Sequence, residues 1–139
     1  MKKKDINPAI HVSGNEDILY RKWTRRHYIG GIGEYKRLEK ASKIDPEAAM
    51  RSASWGSFQI MGFHAESLGF EDVFEMARYL AENEKNNLDL LVRFIQKNNL
   101  DRCLRMLDWA GFAKRYNGPG YKKNKYDEKL ARSFKKHLR

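Results

Sequence analysis

The chain has 139 residues, one-third of them charged, with 28 Lys+Arg against 18 Asp+Glu and a net charge of +10 at pH 7. That length fits one domain of ordinary size with one hydrophobic core, and the charge points to an anionic partner: nucleic acid, an acidic membrane surface or an acidic polymer. The single cysteine, Cys103, excludes an internal disulfide and fits folding in a reducing compartment.

Met1-Lys2-Lys3-Lys4 opens the chain, but no apolar stretch follows. A secretory signal needs that stretch, so none is expected and synthesis is placed in the cytoplasm. No window is long and apolar enough to predict a membrane span. Residues 1–14, with Pro8 and Gly14, read as a polar, extended arm ahead of a domain over 15–139. Between Ile18 and Tyr28, aromatic and basic residues alternate: Tyr20, Arg21, Lys22, Trp23, Arg25, Arg26, His27, Tyr28. Such a stretch can stack on bases while holding phosphates, or stack on sugar rings. A loop packed by Trp23 and Tyr28 explains it equally well. Gly30, Gly31 and Gly33 lack the spacing and the preceding strand of a dinucleotide fingerprint.

Glu34 to Ile44 predicts a helix with Tyr35, Leu38 and Ala41 on its inner side. Asp45-Pro46-Glu47 predicts the start of a second, with Asp45 as N-cap, Pro46 at the first helical position and Glu47 near the positive end of the dipole. The following window, Arg51 to Phe63, carries no charge after Arg51 and predicts burial. Within it Gly56 and Gly62 bracket Ser57-Phe58-Gln59-Ile60-Met61. Gln59 is the one amide in this run. It reads either as a core glutamine satisfied by backbone or as a glutamine on the floor of a cleft, holding a polar substrate.

Beyond Gly69 the periodicity is helical. Val73, Met76, Ala77 and Leu80 form one stripe. Leu88, Leu91, Val92 and Ile95 form a second, Leu104 and Leu107 a third, and Trp109, Phe112, Ala113 and Tyr116 a fourth. Cys103 reads as a packed apolar residue. Gly118-Pro119-Gly120 stops that helix, and Tyr126, Leu130, Phe134 and Leu138 mark a last one. Ten basic residues face only Asp127 and Glu128 between Lys114 and Arg139, whereas Glu66 to Asp101 holds eight acids and four bases. The four histidines are scattered and no Cys-x-x-Cys occurs, so neither a metal nor another cofactor is expected. The fold class is mainly α, with a small hairpin or irregular piece before Gln59.

Two windows resemble signatures of the lysozyme-like superfamily: Trp55-Gly56-Ser57-Phe58-Gln59-Ile60-Met61, and Phe112-Ala113-Lys114-Arg115-Tyr116-Asn117-Gly118-Pro119-Gly120. With Lys22-Trp23-Thr24-Arg25, Gly33-Glu34-Tyr35-Lys36-Arg37-Leu38, Ser52-Ala53-Ser54 and Asp108-Trp109-Ala110, the ordered set resembles the phage-type N-acetylmuramidase (endolysin) family over roughly Asn15 to Ala131. The resemblance implies a compact, helical, lysozyme-like fold and a phage or prophage role on the glycan strands of peptidoglycan once the protein is released. It implies that Gln59, Tyr116 and Asn117 line a sugar-binding cleft, with Trp55 and Ser57 as further substrate-binding candidates. An amide and a phenol suit acetamido sugars, because together they offer donors and acceptors.

The family pattern is not complete. Its general-acid glutamate stands in an early Glu-Ser-Asn/Gly-Gly context, which has no counterpart here. Asp5 does not match it, and Arg21 follows Ile18-Leu19-Tyr20 where an acid is wanted. The catalytic residue is therefore unassigned. The expectation is an N-terminally truncated domain, impaired in hydrolysis, whose exposed surface near Phe58 and Met61 promotes self-association or a partner that fills the gap. A small basic nucleic-acid-binding module is the alternative, but it gives no reason for the Gln-Ile-Met or Tyr-Asn-Gly-Pro runs.

Overall fold

The structure, a computed structural model, describes residues 7–20, 22 and 24–138. It divides into two compact units, the first ending at Ala81 and the second beginning at Glu82.

In the first unit Asn7 accepts the Ala9 N–H at 3.0 Å and caps a 3-10 turn over Pro8–His11. This part of the expected extended arm is therefore coiled, because a capping side chain followed by proline starts a turn. Residues 1–6, and Arg21 and Trp23, lie outside the described residues, so the packing role considered for Trp23 does too. Helix α1 (Glu34–Ser42) follows a 3-10 turn at Gly31–Gly33. Its inner side differs from the expected one: Tyr35 is 66% exposed. Arg37 turns inward instead, donating to the Asp17 carbonyl at 2.9 Å and to Glu34 at 2.6 Å, with its guanidinium 4.7 Å from the Tyr28 ring centroid. Its two terminal nitrogens are used, while Nε is buried without a partner among the described residues, so the covered stem and the two terminal bonds carry this placement.

Helix α2 (Pro46–Ser52) starts where predicted, the Asp45 carboxylate accepting the Ala48 N–H at 2.9 Å. A two-stranded antiparallel hairpin follows, β1 (Ser54–Trp55) and β2 (Ile60–Met61), with Ser54 opposite Met61 and Trp55 opposite Ile60. Side chains alternate across a strand, so Trp55 and Ile60 share one face and Ser54 and Met61 the other. The uncharged window is thus divided rather than buried throughout. Ile60 is 4% exposed, whereas Trp55, Phe58 and Met61 are half-buried and Gln59 is exposed. Helix α3 (Val73–Glu82) buries Val73, Met76 and Leu80 as its stripe predicts. Its start is held reciprocally: Asp72 accepts the Glu75 N–H at 2.7 Å, and Glu75 accepts the Glu71 N–H at 2.6 Å.

In the second unit α4 (Glu84–Lys97) is capped by Asn83, which accepts the Asn86 N–H at 2.9 Å. Its buried side chains are Asn87, Leu90 and Phe94, while Leu88 is 55% exposed and Val92 is also exposed. The expected stripe is therefore displaced by one residue. Both registers fit a helical period through Leu88 to Val92. The one adopted includes an amide, which is permitted because Asn87 Nδ2 donates to the Asn83 carbonyl at 3.0 Å. In α5 (Asp101–Arg105) Cys103 is buried, as is Leu100 before it. Leu107 is exposed, beyond the helix end and at φ 54°, so the third stripe fails there.

Helix α6 (Trp109–Asn117) buries Phe112 and Ala113 and leaves Trp109 and Tyr116 half-buried. Asp108 caps it through the Gly111 N–H at 2.8 Å, and Gly118 at φ 82° ends it. A 3-10 segment (Pro119–Asn124) with buried Tyr121 leads into α7 (Tyr126–His137). Helix α7 packs on α6, the Trp109 and Phe134 ring centroids lying 5.1 Å apart, and its distal end leaves Leu138 exposed. No described helix is long and apolar enough to cross a membrane.

Candidate functional site

The sequence candidates fall into two groups, each on its own element. In the first unit, Trp55, Ser57 and Gln59 sit on the hairpin. The four-residue loop Gly56–Gln59 is closed by the Gln59 N–H donating to the Gly56 carbonyl at 3.2 Å. Gln59 adopts φ 55°, a left-handed conformation that disfavours most side chains. Its side chain is not a core amide. It lies exposed on the Ser54–Met61 face, where Nε2 donates to the Gly56 carbonyl at 3.1 Å and Oε1 accepts the Ser54 hydroxyl at 3.2 Å. An amide has two N–H donors and two acceptor lone pairs. Among the described residues, one donor and one acceptor of this amide are left over.

Trp55 faces the other way, its indole N–H donating to the Met50 carbonyl at 2.8 Å. That bond ties the hairpin to the end of α2 and gives Trp55 a structural role. Ser57 is exposed at the loop tip. Ser54 was not a sequence candidate. Only the hairpin register, which makes residues 54 and 59 diagonal neighbours on one face, brings it to Gln59.

In the second unit, Tyr116 and Asn117 form the last turn of α6. The Tyr116 ring stacks on Phe112, with centroids 5.5 Å apart and planes 11° from parallel, and meets Phe94 edge-on at 5.4 Å. Burial pushes the phenol pKa up, so the hydroxyl stays protonated at neutral pH. Asn117 is exposed beside it. Gly118, at φ 82°, then turns the chain out of the helix.

The described acids ahead of the uncharged window, Glu16, Asp17, Glu34, Glu39, Asp45 and Glu47, are engaged with backbone or basic groups. Glu34 Oε1 accepts the Ile29 and Gly30 N–H groups at 2.6 and 2.8 Å, and Oε2 accepts Arg37. The Gly30 N–H, then the Arg37 guanidinium and the Ile29 N–H, hold its carboxyl below its ordinary pKa. The largest single cause is a backbone N–H rather than the basic neighbour. The Lys40 ammonium, 2.5 Å away, lowers Asp17. Backbone N–H groups of Glu16 itself and of Gly14 lower Glu16. Glu39 pairs with Lys43 at 3.7 Å, and Glu47 with Arg51 at 3.9 Å. A general acid in glycoside hydrolysis needs its pKa raised, so Glu16, Asp17 and Glu34 are shifted in the wrong direction. Among the described residues no group of three or more His, Cys, Asp or Glu is arranged to hold a metal ion.

The family model for N-acetylmuramidase matches residues 1–138. The chain is also similar to a solved structure described as that of the Burkholderia AP3 phage endolysin, with a TM-score of 0.82 and 38% identity over 92% of this chain. It spans 49% of that endolysin's chain, about half its length. No curated protein matches it significantly. The mainly helical architecture with one small hairpin is the lysozyme-like fold of that endolysin. By a match along almost its whole length, the chain belongs to the N-acetylmuramidase family.

Proposed function

We propose that this domain acts on the bacterial cell wall by engaging the glycan strand of peptidoglycan through Gln59, with Ser57 beside it at the loop tip and Trp55 anchoring the hairpin from its other face; Tyr116 and Asn117 are further candidates for contact with the strand. The observation that carries this reading is the Gln59 amide: exposed, held at a hairpin tip by two hydrogen bonds, in a member of the N-acetylmuramidase family. An acetamido group presents one N–H and one C=O, and a fixed amide answers both. The family match lends no support to the nucleic-acid alternative.

Gln59→Ala is expected to weaken binding of soluble muropeptides at least tenfold, about what the loss of one or two hydrogen bonds to ligand costs. The thermal midpoint should change little, because the side chain is exposed. Titration calorimetry beside a melting curve checks both. Unchanged affinity would remove Gln59 from the site.

Charge contributes separately. Lys122, Lys123, Lys135 and Lys136 are all exposed on or just before α7, and peptidoglycan is anionic. Reversing the four to Glu is expected to reduce sedimentation with purified sacculi and to flatten its salt dependence. Exposed charges are screened over about 10 Å at ~0.1 M salt. Binding by the parent chain that ignores salt would exclude this electrostatic contribution.

A further inference from the structure

We infer that Ser54 is a positioning residue for Gln59, fixing which way its amide presents donor and acceptor to an acetamido group. The inference rests on the glycan-binding reading above and adds a residue and a mechanism to it. The geometry decides the orientation of the amide. The Gly56 carbonyl lies 3.1 Å from one end of the Gln59 side chain. A carbonyl oxygen can only accept, so that end must be the nitrogen. The other end is then the oxygen, and the Ser54 hydroxyl, at 3.2 Å, must donate to it. The amide is held at both ends by groups of its own hairpin.

The hairpin register makes this arrangement. With Ser54 opposite Met61, Ser54 and Gln59 stand diagonally on the same, outer face, while Ile60 anchors the opposite face by burial. The left-handed backbone at Gln59 (φ 55°) would suit glycine better. A side chain kept there, and braced by a second side chain, points to use of the amide rather than to turn formation. Without Ser54 the oxygen end has no partner on the hairpin. The amide can then swing away from the Gly56 carbonyl and sample orientations that mispresent its free N–H and lone pair.

The experiment uses the full chain, the variants Ser54→Ala, Ser54→Thr and Gln59→Ala, and chitotetraose as the probe. Side-chain amide NMR reads the order of Gln59 Nε2 without ligand, and titration reads affinity. In Ser54→Ala the amide is expected to lose order and chitotetraose affinity to fall about three- to tenfold, the size of one hydrogen bond. Ser54→Thr keeps the hydroxyl and should restore both. Adding Ser54→Ala to Gln59→Ala should cause no further loss, since the serine acts only through the amide. An amide as ordered in Ser54→Ala as in the parent overturns the positioning role. So does a further loss in the double variant. If the amide loosens but Gln59→Ala binds chitotetraose normally, the glycan-binding reading fails instead.

Discussion

Gly62→Ala is expected to destabilise the protein by about 3 kcal/mol, the upper part of the usual range for forcing extra atoms into a packed site. Gly62 follows β2 and is buried, its N–H donating to the Ala53 carbonyl at 2.8 Å. A Cβ added there would lie 2.2 Å from the Met50 carbonyl oxygen and 2.9 Å from both Arg51 Cα and Val73 Cγ2. Two of these three obstacles are backbone, at the end of α2, and a backbone cannot rotate aside as a flexible side chain can. The hairpin would have to lift from α2, straining the Trp55–Met50 bond as well. In a domain of this size such a loss lowers the melting temperature by roughly 10 °C. Gly120→Ala is the control, because no atom lies within 4 Å of its added Cβ. Differential scanning fluorimetry of the two variants separates close packing from a general glycine effect. A Gly62→Ala protein that melts with the parent would show that the hairpin does not need this contact.

Glu34→Gln is expected to lose stability, by about 1–2 kcal/mol at neutral pH, without losing a catalytic group. The carboxylate accepts two backbone N–H groups and Arg37, whose own side chain is 13% exposed. Charged hydrogen bonds are worth about 1.5–3 kcal/mol each, less where water reaches them, and the amide keeps part of the set. Because folding lowers the Glu34 pKa, its stabilisation is complete above the unfolded value and is lost as pH falls through the folded one. The difference in melting temperature between parent and Glu34→Gln should therefore be largest near neutral pH and shrink in acid. On permeabilised Gram-negative cells the unmodified chain is expected to clear turbidity poorly, and Glu16→Gln, Glu34→Gln, Glu39→Gln and Glu47→Gln should each leave its rate unchanged. Removing a general acid typically lowers the rate by about 10²–10⁴. A drop of that size in one of these four, with the fold retained, would identify the proton donor and overturn the structural role assigned to that acid.

Local chemistry determined much of what the sequence showed by itself. Asp45-Pro46 caps α2, Gly118 ends α6, and the Val73–Leu80 stripe is buried, because each depends on residues within one or two turns. The ordered Gln-Ile-Met and Tyr-Asn-Gly-Pro runs pointed to the family for a similar reason: they are contiguous and read directly. Tertiary structure decided the rest. The register of α4 follows Asn87, buried because its amide finds the Asn83 carbonyl, a fact hydrophobicity alone does not carry. Tyr35 stays outside because Arg37 takes the inner side of α1 through partners as distant in sequence as Asp17. In the uncharged window, apolar composition predicted burial, whereas strand pairing sends Ile60 inward and Gln59 outward one residue apart. Composition averages over a window, but a pleated strand alternates, and only the pairing of Ser54 with Met61 settles which half of the alternation meets water.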